Sequence, residues 1–396
     1  MRSNGFILLF GILLTLILDL GLYVRIKQFL QTRRNRLFYW LHSAVFVAGL
    51  FCYYHYVPRL KTPETYYWIG LGIGLLFLFY IPKLIFILVS LICWPLGRIR
   101  PSFDKKSLWA ATIISGLCFF VILHGITCNR YNYKTETTPV CFPQLPPAFD
   151  GFKIVQLSDL HLGSHSVNYK GIPLLVEQVN SLHPDVILFT GDMVNNFAAE
   201  LRPWTKELSR LKARYGKFAV TGNHDYGLYV RWKDPAKQRR NMKEFYENME
   251  KAGFVMLKNT SVPIVREKDT LCIAGVENWG NPPFPRYGKL EDALRNCSNH
   301  FVVLLSHDPS HWEAEVLHHN VPLTLSGHTH AMQMGIKVGT WEWSPARMLY
   351  PQYDGLYRNN GKYLHVSRGE GYLGFPGRIG LRPQIDEIIL CRDGGK

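Results

Sequence analysis

The chain has 396 residues, 47% of them hydrophobic, and a formal net charge of +15. A charge of this size could indicate a nucleic-acid-binding protein, but much of it lies in two clusters beside long apolar segments. That is the usual position of cytoplasmic membrane flanks, so the composition favours a lipid bilayer as partner and argues against nucleic acid. The clusters are Arg25, Lys27, Arg33, Arg34 and Arg36, followed by Arg98, Arg100, Lys105 and Lys106.

The N-terminal region, residues 1–127, is predicted to cross the membrane about four times. Its apolar stretches are close to the 20 or so residues that a spanning helix needs. The third stretch is long and contains Pro82, so it is either one kinked helix or two short half-spans. The four stretches are Phe6–Val24, Phe38–Val57, Tyr67–Trp94 and Leu108–Ile126.

Charge predicts the topology of these helices. With four spans, the basic loops 25–36 and 98–107 lie on the same side, which the positive-inside rule makes the cytoplasm. Everything after Ile126 then lies on the extracytoplasmic side of the cytoplasmic (inner) membrane. Five ionisable residues within the spans are interpreted as isolated, which argues against a transporter. They are Asp19, His42, His55, Lys83 and His124.

The eight cysteines show no CxxC spacing, which argues against a zinc ribbon. Cys128 and Cys141 bracket a short loop after the last span. They either form a disulfide, if the loop is extracytoplasmic, or remain two thiols, and the thiols are preferred. Cys272 and Cys391 fall in strand-like apolar runs and are expected to be core residues.

After the spans, residues 128–149 are predicted to form an extended linker, because Tyr131–Pro147 is rich in threonine and proline. In residues 150–396, short apolar strands alternate with helical patterns, which indicates an α/β layered domain. Helices are predicted at Ile172–Leu182 and Ala236–Ala252. Strands are predicted at Lys153–Ser158, Asp185–Thr190, Phe218–Thr221, Leu271–Val276, Phe301–Leu305, Leu323–Ser326, Lys362–Ser367 and Ile385–Leu390.

Five polar motifs each follow the end of a predicted strand. Strand ends open into one crevice of an α/β sheet, so motifs far apart in sequence can meet in space. Alone, an Asp after a strand is more often a helix cap or turn residue, but five such motifs in order indicate one site. The motifs are Asp159-Leu160-His161, Gly191-Asp192, Gly222-Asn223-His224-Asp225, Ser306-His307 and Gly327-His328-Thr329-His330.

Asp, Asn and His side chains, without a thiolate, are the donors that suit two divalent ions such as Mn, Fe or Zn. A pair of such ions activates water and stabilises displacement at phosphorus. The motifs therefore predict a dinuclear metal-dependent phosphoesterase.

The order of these motifs resembles the calcineurin-like metallophosphoesterase superfamily over about residues 150–390. The resemblance implies a four-layer αββα sandwich, in which helices flank two sheets, preceded here by an all-α transmembrane region. It also implies two metal sites that share Asp192. The first is implied to consist of Asp159, His161, Asp192 and His330, and the second of Asp192, Asn223, His307 and His328.

The resemblance implies attack on phosphorus by a hydroxide that bridges the two ions. His224 is then a non-ligand imidazole that stabilises developing charge or protonates the leaving oxygen. Asp225 either orients His224 or caps a turn. The other histidines, of which His165 lies nearest to the first motif, are interpreted as surface or structural residues.

The segments 149–161 and 367–387 resemble the membrane-anchored bacterial phosphodiesterase branch with a multi-span N-terminus. Two departures lie where substrate could sit. Ala331-Met332-Gln333 stands where that branch commonly has Gly-Gly-Gln, and Glu277-Asn278 stands where many relatives have an acidic dipeptide. Several loop residues are interpreted either as a substrate wall or as packing residues, namely Trp279, Trp341, Trp343 and Arg347.

The function predicted from these patterns is hydrolysis of a phosphodiester or pyrophosphate bond in a lipid-linked or cell-envelope substrate, outside the membrane. One alternative is a UDP-2,3-diacylglucosamine-type pyrophosphatase of lipid A synthesis, although such an enzyme works in the cytoplasm. A second alternative is a catalytically weak membrane sensor or scaffold. The pattern lacks no ligand position, which argues against a decayed site, and the sequence predicts no oligomeric state.

Overall fold

A computed structural model describes residues 2–392 of the chain apart from residues 61, 63, 100, 167 and 340. The chain divides into two compact units. The first contains Met1–Thr127 together with Gly374–Pro376, and the second contains Cys128–Leu373 and Gly377–Lys396.

Four long helices form the first unit, and all four are long and apolar enough to cross a membrane. This confirms the four predicted spans. The long third stretch is a single helix despite Pro82, so the alternative of two half-spans is wrong. The helices are α1 (Arg2–Ile26), α2 (Arg33–Leu60), α3 (Thr65–Ile99) and α4 (Pro101–Thr127).

An ion pair connects the two basic loops of this unit. Arg25 Nη2, near the end of α1, lies 2.7 Å from Asp104 Oδ1, near the start of α4. The loop after α1 and the loop before α4 therefore lie at the same end of the helices, as the charge pattern predicts. Arg100 of the second basic cluster lies outside the described residues.

Three of the five ionisable residues predicted to be isolated within the spans meet in a buried cluster, so that prediction is wrong for them. Lys83 Nζ lies 2.6 Å from Asp19 Oδ1 and 3.4 Å from His42 Nδ1. The Tyr80 hydroxyl donates to Asp19 Oδ2 at 3.0 Å. Both oxygens of the Asp19 carboxylate are thus paired, which offsets the cost of burying its charge. The cluster joins α1, α2 and α3.

The second unit contains two six-stranded sheets and a separate two-stranded hairpin. The first sheet has the order β1-β14-β2-β3-β4-β5 and the second has the order β12-β13-β9-β8-β7-β6. The strands are β1 (Lys134–Phe142), β2 (Lys153–Leu157), β3 (Val186–Phe189), β4 (Lys217–Ala219), β5 (Val255–Met256), β6 (Thr260–Arg266), β7 (Asp269–Gly275), β8 (Phe301–Leu305), β9 (Leu323–Ser326), β10 (Ile336–Val338), β11 (Trp341–Trp343), β12 (Gly355–Asn359), β13 (Lys362–Val366) and β14 (Gln384–Arg392).

Five helices accompany these sheets: α5 (Gly171–Ser181), α6 (Thr205–Leu208), α7 (Pro235–Lys251), α8 (Leu290–Leu294) and α9 (Ser310–Ala314). Strands β2 to β5 run parallel to one another, as do β7, β8, β9 and β13. Parallel sheets of this kind are apolar on both faces and need cover on both.

Packing of the strand side chains produces four layers. Ile154 and Leu188 of the first sheet pack in one core with Ile273 of the second sheet. The opposite faces are covered by helices, since Val155 packs in a cluster with α5 and α7 residues. Cys272 and Leu304 pack with residues of α8 and α9. The predicted αββα sandwich is confirmed.

The segment predicted as an extended linker contains β1. This strand pairs with β14 in parallel along its whole length, from Lys134↔Gln384 to Phe142↔Arg392. It is the outermost strand of its sheet, so Pro139, which has no N–H, can be accommodated there. The catalytic unit therefore begins before residue 150.

Two disulfides lie in the second unit, and they correct the predictions for the cysteines. Cys141 bonds to Cys391 across the directly paired strands β1 and β14, and not to Cys128. Cys272 bonds to Cys297. Local sequence patterns could not predict either pairing, because the bonded cysteines are 250 and 25 positions apart in the chain.

Candidate metal centre

The five motifs meet where strand ends of the two sheets converge. Asp159, Asp192 and Asn223 follow β2, β3 and β4 of the first sheet, while His307 and His328 follow β8 and β9 of the second. Each of these five residues leaves the C-terminal end of its strand. Because the strands within each set are parallel, the motifs emerge at one edge of the sandwich.

A first group of donors contains Asp159, His161 and His330, all buried. The Nε2 atoms of His161 and His330 lie 3.0 Å apart. Asp159 Oδ1 lies 3.3 Å from His330 Nε2 and 3.9 Å from His161 Nε2. The three donor atoms face a common point.

A second group contains Asp192, His307 and His328. His307 Nε2 lies 3.2 Å from Asp192 Oδ2 and 3.3 Å from His328 Nδ1. The same Asp192 oxygen lies 3.6 Å from His161 Nε2 of the first group. Asp192 therefore faces both groups, which is the position of a carboxylate shared by two ions.

The geometry of these donors fits two divalent ions. Ligands bound about 2.0–2.2 Å from one ion lie about 3–3.5 Å from each other, close to the separations seen here. The other ring nitrogens of the second group are occupied: His307 Nδ1–H donates to the Thr190 carbonyl at 2.8 Å, and His328 Nε2 lies 2.9 Å from the Tyr350 hydroxyl. These contacts turn one free nitrogen of each ring towards the ion position.

Asn223 supplies a further donor. Its amide nitrogen donates to the Tyr229 hydroxyl at 2.7 Å, which fixes the orientation of the amide. Its Oδ1 atom is buried and has no hydrogen-bond partner among the described residues. A buried carbonyl oxygen without a partner is costly, and a cation would satisfy it. Asn223 Oδ1 therefore fits as a ligand beside the second group.

Electrostatics keep the Asp192 carboxylate anionic and favour a positive charge beside it. Burial raises the pKa of Asp192, but the neighbouring His307 and His224 outweigh burial and hold that pKa well below its usual range. Burial lowers the pKa of His307, yet the Asp192 carboxylate raises it to about 10. The acidic oxygens thus remain anionic although they are buried, and a positive charge beside them is strongly favoured.

The backbone is strained at the same residues. Five of the predicted ligands have φ between 45° and 73°, in the left-handed region that residues other than glycine rarely adopt. Strain of this kind persists where the surrounding structure over-determines it and clusters at functional sites. The five residues are Asp159, His161, Asp192, His328 and His330.

Two motif glycines are required by close approach to the ligands. A Cβ atom at Gly222 would lie 2.2 Å from Asp192 Oδ1. A Cβ atom at Gly327 would lie 2.3 Å from Asp159 Oδ2 and 1.9 Å from Ser158 Oγ. Any side chain at either position would displace a donor.

His224, predicted as the catalytic imidazole, lies beside both groups. Its Nδ1–H donates to the Asn195 carbonyl at 2.9 Å, which leaves Nε2 as the nitrogen that can exchange a proton. Its ring is perpendicular to that of His161 at a centroid distance of 4.9 Å and tilted against that of Tyr229 at 4.4 Å. His224 is only partly buried, unlike His161 and His307.

Asp225 contacts the backbone of the ligand loops. Its carboxylate accepts from the backbone N–H groups of Asp192 at 3.0 Å, Val194 at 3.1 Å and Gly222 at 2.9 Å. The partner that orients the His224 ring is the Asn195 carbonyl, in place of the Asp225 carboxylate that the sequence suggested. Asp225 instead holds the Asp192 loop and the Asn223 loop together.

Sequence reasoning missed the residues that support Asp159. Glu370 accepts from the Ser158 N–H at 2.9 Å, and the Gly371 N–H donates to the Asp159 carbonyl at 3.0 Å. The guanidinium of Arg378 donates to the carbonyls of Arg368, Gly369 and Gly371. Arg368 and Glu370 belong to the segment 367–387 that resembles the family, and both side chains are buried. That resemblance was the available signal.

Four other residues that the sequence singled out divide into packed and exposed positions. Trp279 is buried and stacks on the ring of His311 at 4.6 Å, so it is a packing residue. His165 is buried and stacks on Tyr169 at 4.0 Å, in agreement with its structural interpretation. Trp341 and Trp343 are exposed on the β10–β11 hairpin.

Comparison with known proteins identifies the class of this chain. Residues 152–332 match the family model described as calcineurin-like phosphoesterase, and residues 1–130 match that described as probable calcineurin-like phosphoesterase, transmembrane domain. The chain belongs to the calcineurin-like metallophosphoesterase family and is a membrane protein with a phosphoric-ester hydrolase domain.

Sequence relatives and a solved structure match different shares of the chain. It is 30% identical over 316 residues to the bovine (Bos taurus) transmembrane protein with metallophosphoesterase domain, covering 76% of this chain and 67% of the relative. It is 29% identical to the uncharacterized metallophosphoesterase YkuE of Bacillus subtilis, covering 62% of this chain and 81% of the relative. The crystal structure of phosphopantetheinyl hydrolase from Mycobacterium tuberculosis superimposes with a TM-score of 0.32 at 13% identity, covering 55% of this chain and 88% of that one.

Proposed function

We propose that the protein hydrolyses a phosphodiester or pyrophosphate bond of a lipid-linked or cell-envelope substrate, using two divalent ions. The observation that carries the proposal is the position of Asp192 Oδ2, 3.2 Å from His307 Nε2 and 3.6 Å from His161 Nε2. Asp159, His161 and His330 would hold one ion with Asp192, and Asn223, His307 and His328 would hold the other. When bound, the ions supply Lewis acidity at the phosphoryl oxygens and activate the attacking water.

His224 is proposed as the catalytic residue that exchanges a proton with the leaving oxygen. Its Nδ1–H is held by the Asn195 carbonyl at 2.9 Å, so proton exchange falls to Nε2. Asp225 is a positioning residue, since its contacts are with backbone N–H groups of the ligand loops.

The catalytic domain is proposed to lie on the extracytoplasmic face of the inner membrane. The disulfides Cys141–Cys391 and Cys272–Cys297 support this side, because cytoplasmic thiols are kept reduced. The shared position of the two basic loops, joined by Arg25 and Asp104, supports it as well, because positive loops remain in the cytoplasm. A cytoplasmic pyrophosphatase of lipid A synthesis fits neither observation.

The catalytic proposal is tested with purified full-length protein, Mn²⁺ and bis-p-nitrophenyl phosphate. We expect Asp192→Asn to lower kcat roughly 100-fold or more and to reduce the bound metal below two ions per chain. We expect His224→Ala to lower kcat roughly 10²–10⁴-fold while the bound metal is retained. Asp234→Asn, at the start of α7, is the matched control and should keep both rate and metal. An unchanged rate in either active-site variant would show the mechanism to be wrong.

The proposed side and substrate have separate tests. A reporter that is active only outside the cytoplasm is fused to the C-terminus, and we expect it to be active. A reporter that is active only in the cytoplasm should then be silent at the same position, and activity there would overturn the topology. Envelope lipids and nucleotide-linked lipids are then offered to the active enzyme, with Asp192→Asn as the blank. Release of phosphate or a phosphomonoester from lipid-linked compounds alone would identify the substrate class, whereas cleavage of soluble diesters alone would overturn it.

A further inference from the structure

The β10–β11 hairpin exposes its apolar face to solvent and turns its charged face towards protein partners, the opposite of an ordinary surface hairpin. Its cross-strand pairs are Ile336↔Trp343, Lys337↔Glu342 and Val338↔Trp341. Because side chains alternate along a strand, the first and third pairs share one face and the middle pair occupies the other. The apolar hairpin face, defined here as Ile336, Val338, Trp341 and Trp343, is exposed to solvent.

The charged face of the hairpin is directed to the protein. Lys337 Nζ lies 3.2 Å from Glu342 Oε2 and 3.3 Å from Glu136 Oε1 of β1. Glu342 also pairs at 3.2 Å with the buried Arg368, which itself pairs with Asp354. These contacts tie the charged face to β1 and to Arg368, although Lys337 itself remains exposed. The apolar side chains therefore point away from those partners.

The exposure of the apolar face is large and continues beyond the hairpin. Val338 is 67% exposed and Trp341 is 57% exposed. Met348 and Leu349, which follow the hairpin, are 81% and 65% exposed. Large exposed apolar side chains concentrated in one segment of a folded domain are typical of an interaction site.

The surface borders the metal centre. The segment starts after the ligand His330 and ends at Tyr350, whose hydroxyl lies 2.9 Å from Nε2 of the ligand His328. Its base is fastened by Ser344, whose hydroxyl donates to the Ala331 carbonyl at 2.6 Å. The segment that carries the apolar hairpin face is therefore connected to proposed ligands at both of its ends.

We propose that the apolar hairpin face, with Met348 and Leu349, contacts a phospholipid bilayer surface and brings lipid-borne phosphate esters to the metal centre. The chain holds its second unit at a bilayer through its own spans, with only six residues between the end of α4 at Thr127 and the start of β1 at Lys134. Tryptophan is enriched at membrane–water interfaces, where its ring is amphipathic. The exposed Arg347 adds a positive charge that complements anionic headgroups.

A second copy of the chain is a poorer occupant of this surface. A stable protein interface uses about 20–30 residues a side, whereas the surface has six large apolar side chains. Shallow insertion of a few apolar and aromatic side chains is sufficient at a lipid interface. The size and composition of the surface thus favour lipid.

The test is photocrosslinking of the full-length protein in vesicles of phosphatidylethanolamine and phosphatidylglycerol that contain an alkyne-tagged phosphatidylglycerol. The photoreactive residue p-benzoylphenylalanine is placed separately at Trp341 and Val338. Matched controls place it at Lys337, on the opposite face of the same hairpin, and at Val265, which is 60% exposed on β6. After irradiation, the tag is coupled to a dye and lipid adducts are quantified on a gel.

We expect lipid labelling at positions 341 and 338 to exceed that at the two controls roughly fivefold or more, since interfacial contact falls off within a few ångströms. Labelling equal to the controls would overturn the proposal, and so would a crosslinked dimer as the main product at 341. The readout does not require turnover. If the protein is not a phosphoesterase, the lipid labelling should still occur. If the hairpin does not contact lipid, the protein should still hydrolyse bis-p-nitrophenyl phosphate.

Discussion

The ammonium group of Lys83 on α3 lies 2.6 Å from the carboxylate of Asp19 on α1, inside a predominantly apolar helical unit. Asp19 is fully buried, and its second oxygen accepts from the Tyr80 hydroxyl at 3.0 Å. Neither charge would be stable there without the other, because an unpaired ion in an apolar interior costs several kcal/mol.

Removing one partner of this pair should therefore be more harmful than removing both. We expect Lys83→Met to destabilise the protein by about 3 kcal/mol or more, and Asp19→Asn/Lys83→Met to recover most of that loss. The measurement is the unfolding temperature of the full-length protein in detergent. Lys105→Met, which removes an exposed positive charge in the first turns of α4, is the control and should unfold at the same temperature as the wild type. A single variant as stable as the wild type would contradict a stabilising pair.

Tyr229 should control the affinity of one metal ion. Its hydroxyl accepts from the Asn223 amide nitrogen at 2.7 Å and thereby orients the unpartnered Oδ1 atom. We expect Tyr229→Phe to weaken the second ion by roughly 10–100-fold, because residues that orient ligands typically contribute this much. Activity should return when the Mn²⁺ concentration is raised.

This loss is measured by metal content after dialysis and by the Mn²⁺ concentration that gives half-maximal activity. Tyr287→Phe, at an exposed tyrosine, is the control. If Tyr229→Phe binds two ions as tightly as the wild type does, the hydroxyl does not orient the ligand.

The Cys141–Cys391 disulfide should stabilise the second unit. It closes a separation of 250 residues between the first and last strands of that unit. We expect Cys141→Ser/Cys391→Ser to cost about 2–5 kcal/mol, because the loop it closes is long. The unfolding temperature of the full-length protein with and without reductant measures this, and reductant should have less effect on the double variant than on the wild type. Equal effects on both would contradict the prediction.

His165 should make the free energy of unfolding depend on pH. Burial lowers the pKa of His165 to about 3, well below its ordinary value of 6.5. Below pH 6.5 the unfolded chain binds a proton at this position and the folded chain does not, so stability falls as pH falls. One pKa unit is worth 1.36 kcal/mol, so the loss between pH 6.5 and 5 is about 2 kcal/mol.

The comparison is made with His165→Phe, which keeps an aromatic ring against Tyr169 but cannot titrate. Its unfolding temperature should depend less on pH in this range than that of the wild type. His300→Gln, at an exposed histidine, should retain the wild-type profile. Parallel profiles for His165→Phe and the wild type would exclude His165 as the cause.

Much of the sandwich was predictable from local patterns. All eight predicted strands are present, because each combines a short apolar run with a motif or turn that ends it, as at Phe301–Leu305. The convergence of the seven proposed ligands was predictable for the same reason, since all of them follow strands in short motifs. Local periodicity and residue type carry this information without knowledge of tertiary contacts.

Contacts between distant segments were not predictable. Strand β1 is rich in threonine and contains Pro139, a composition that predicts a linker. Its strand conformation depends on pairing with the distant strand β14. Asp19 and Lys83 are 64 positions apart, and helix packing alone brings them together. Arg378 supports the Asp159 loop through backbone carbonyls, and such contacts have no side-chain signature in a sequence.

Strand β14 lies between β1 and β2 in the first sheet, although it follows all the other described strands along the chain and its two neighbours precede them. The opening strands of the second unit therefore cannot reach their final neighbours until residues 384–392 have left the ribosome. The loop of the proposed ligand Asp159, which follows β2, thus reaches its final setting only after β14 has been made.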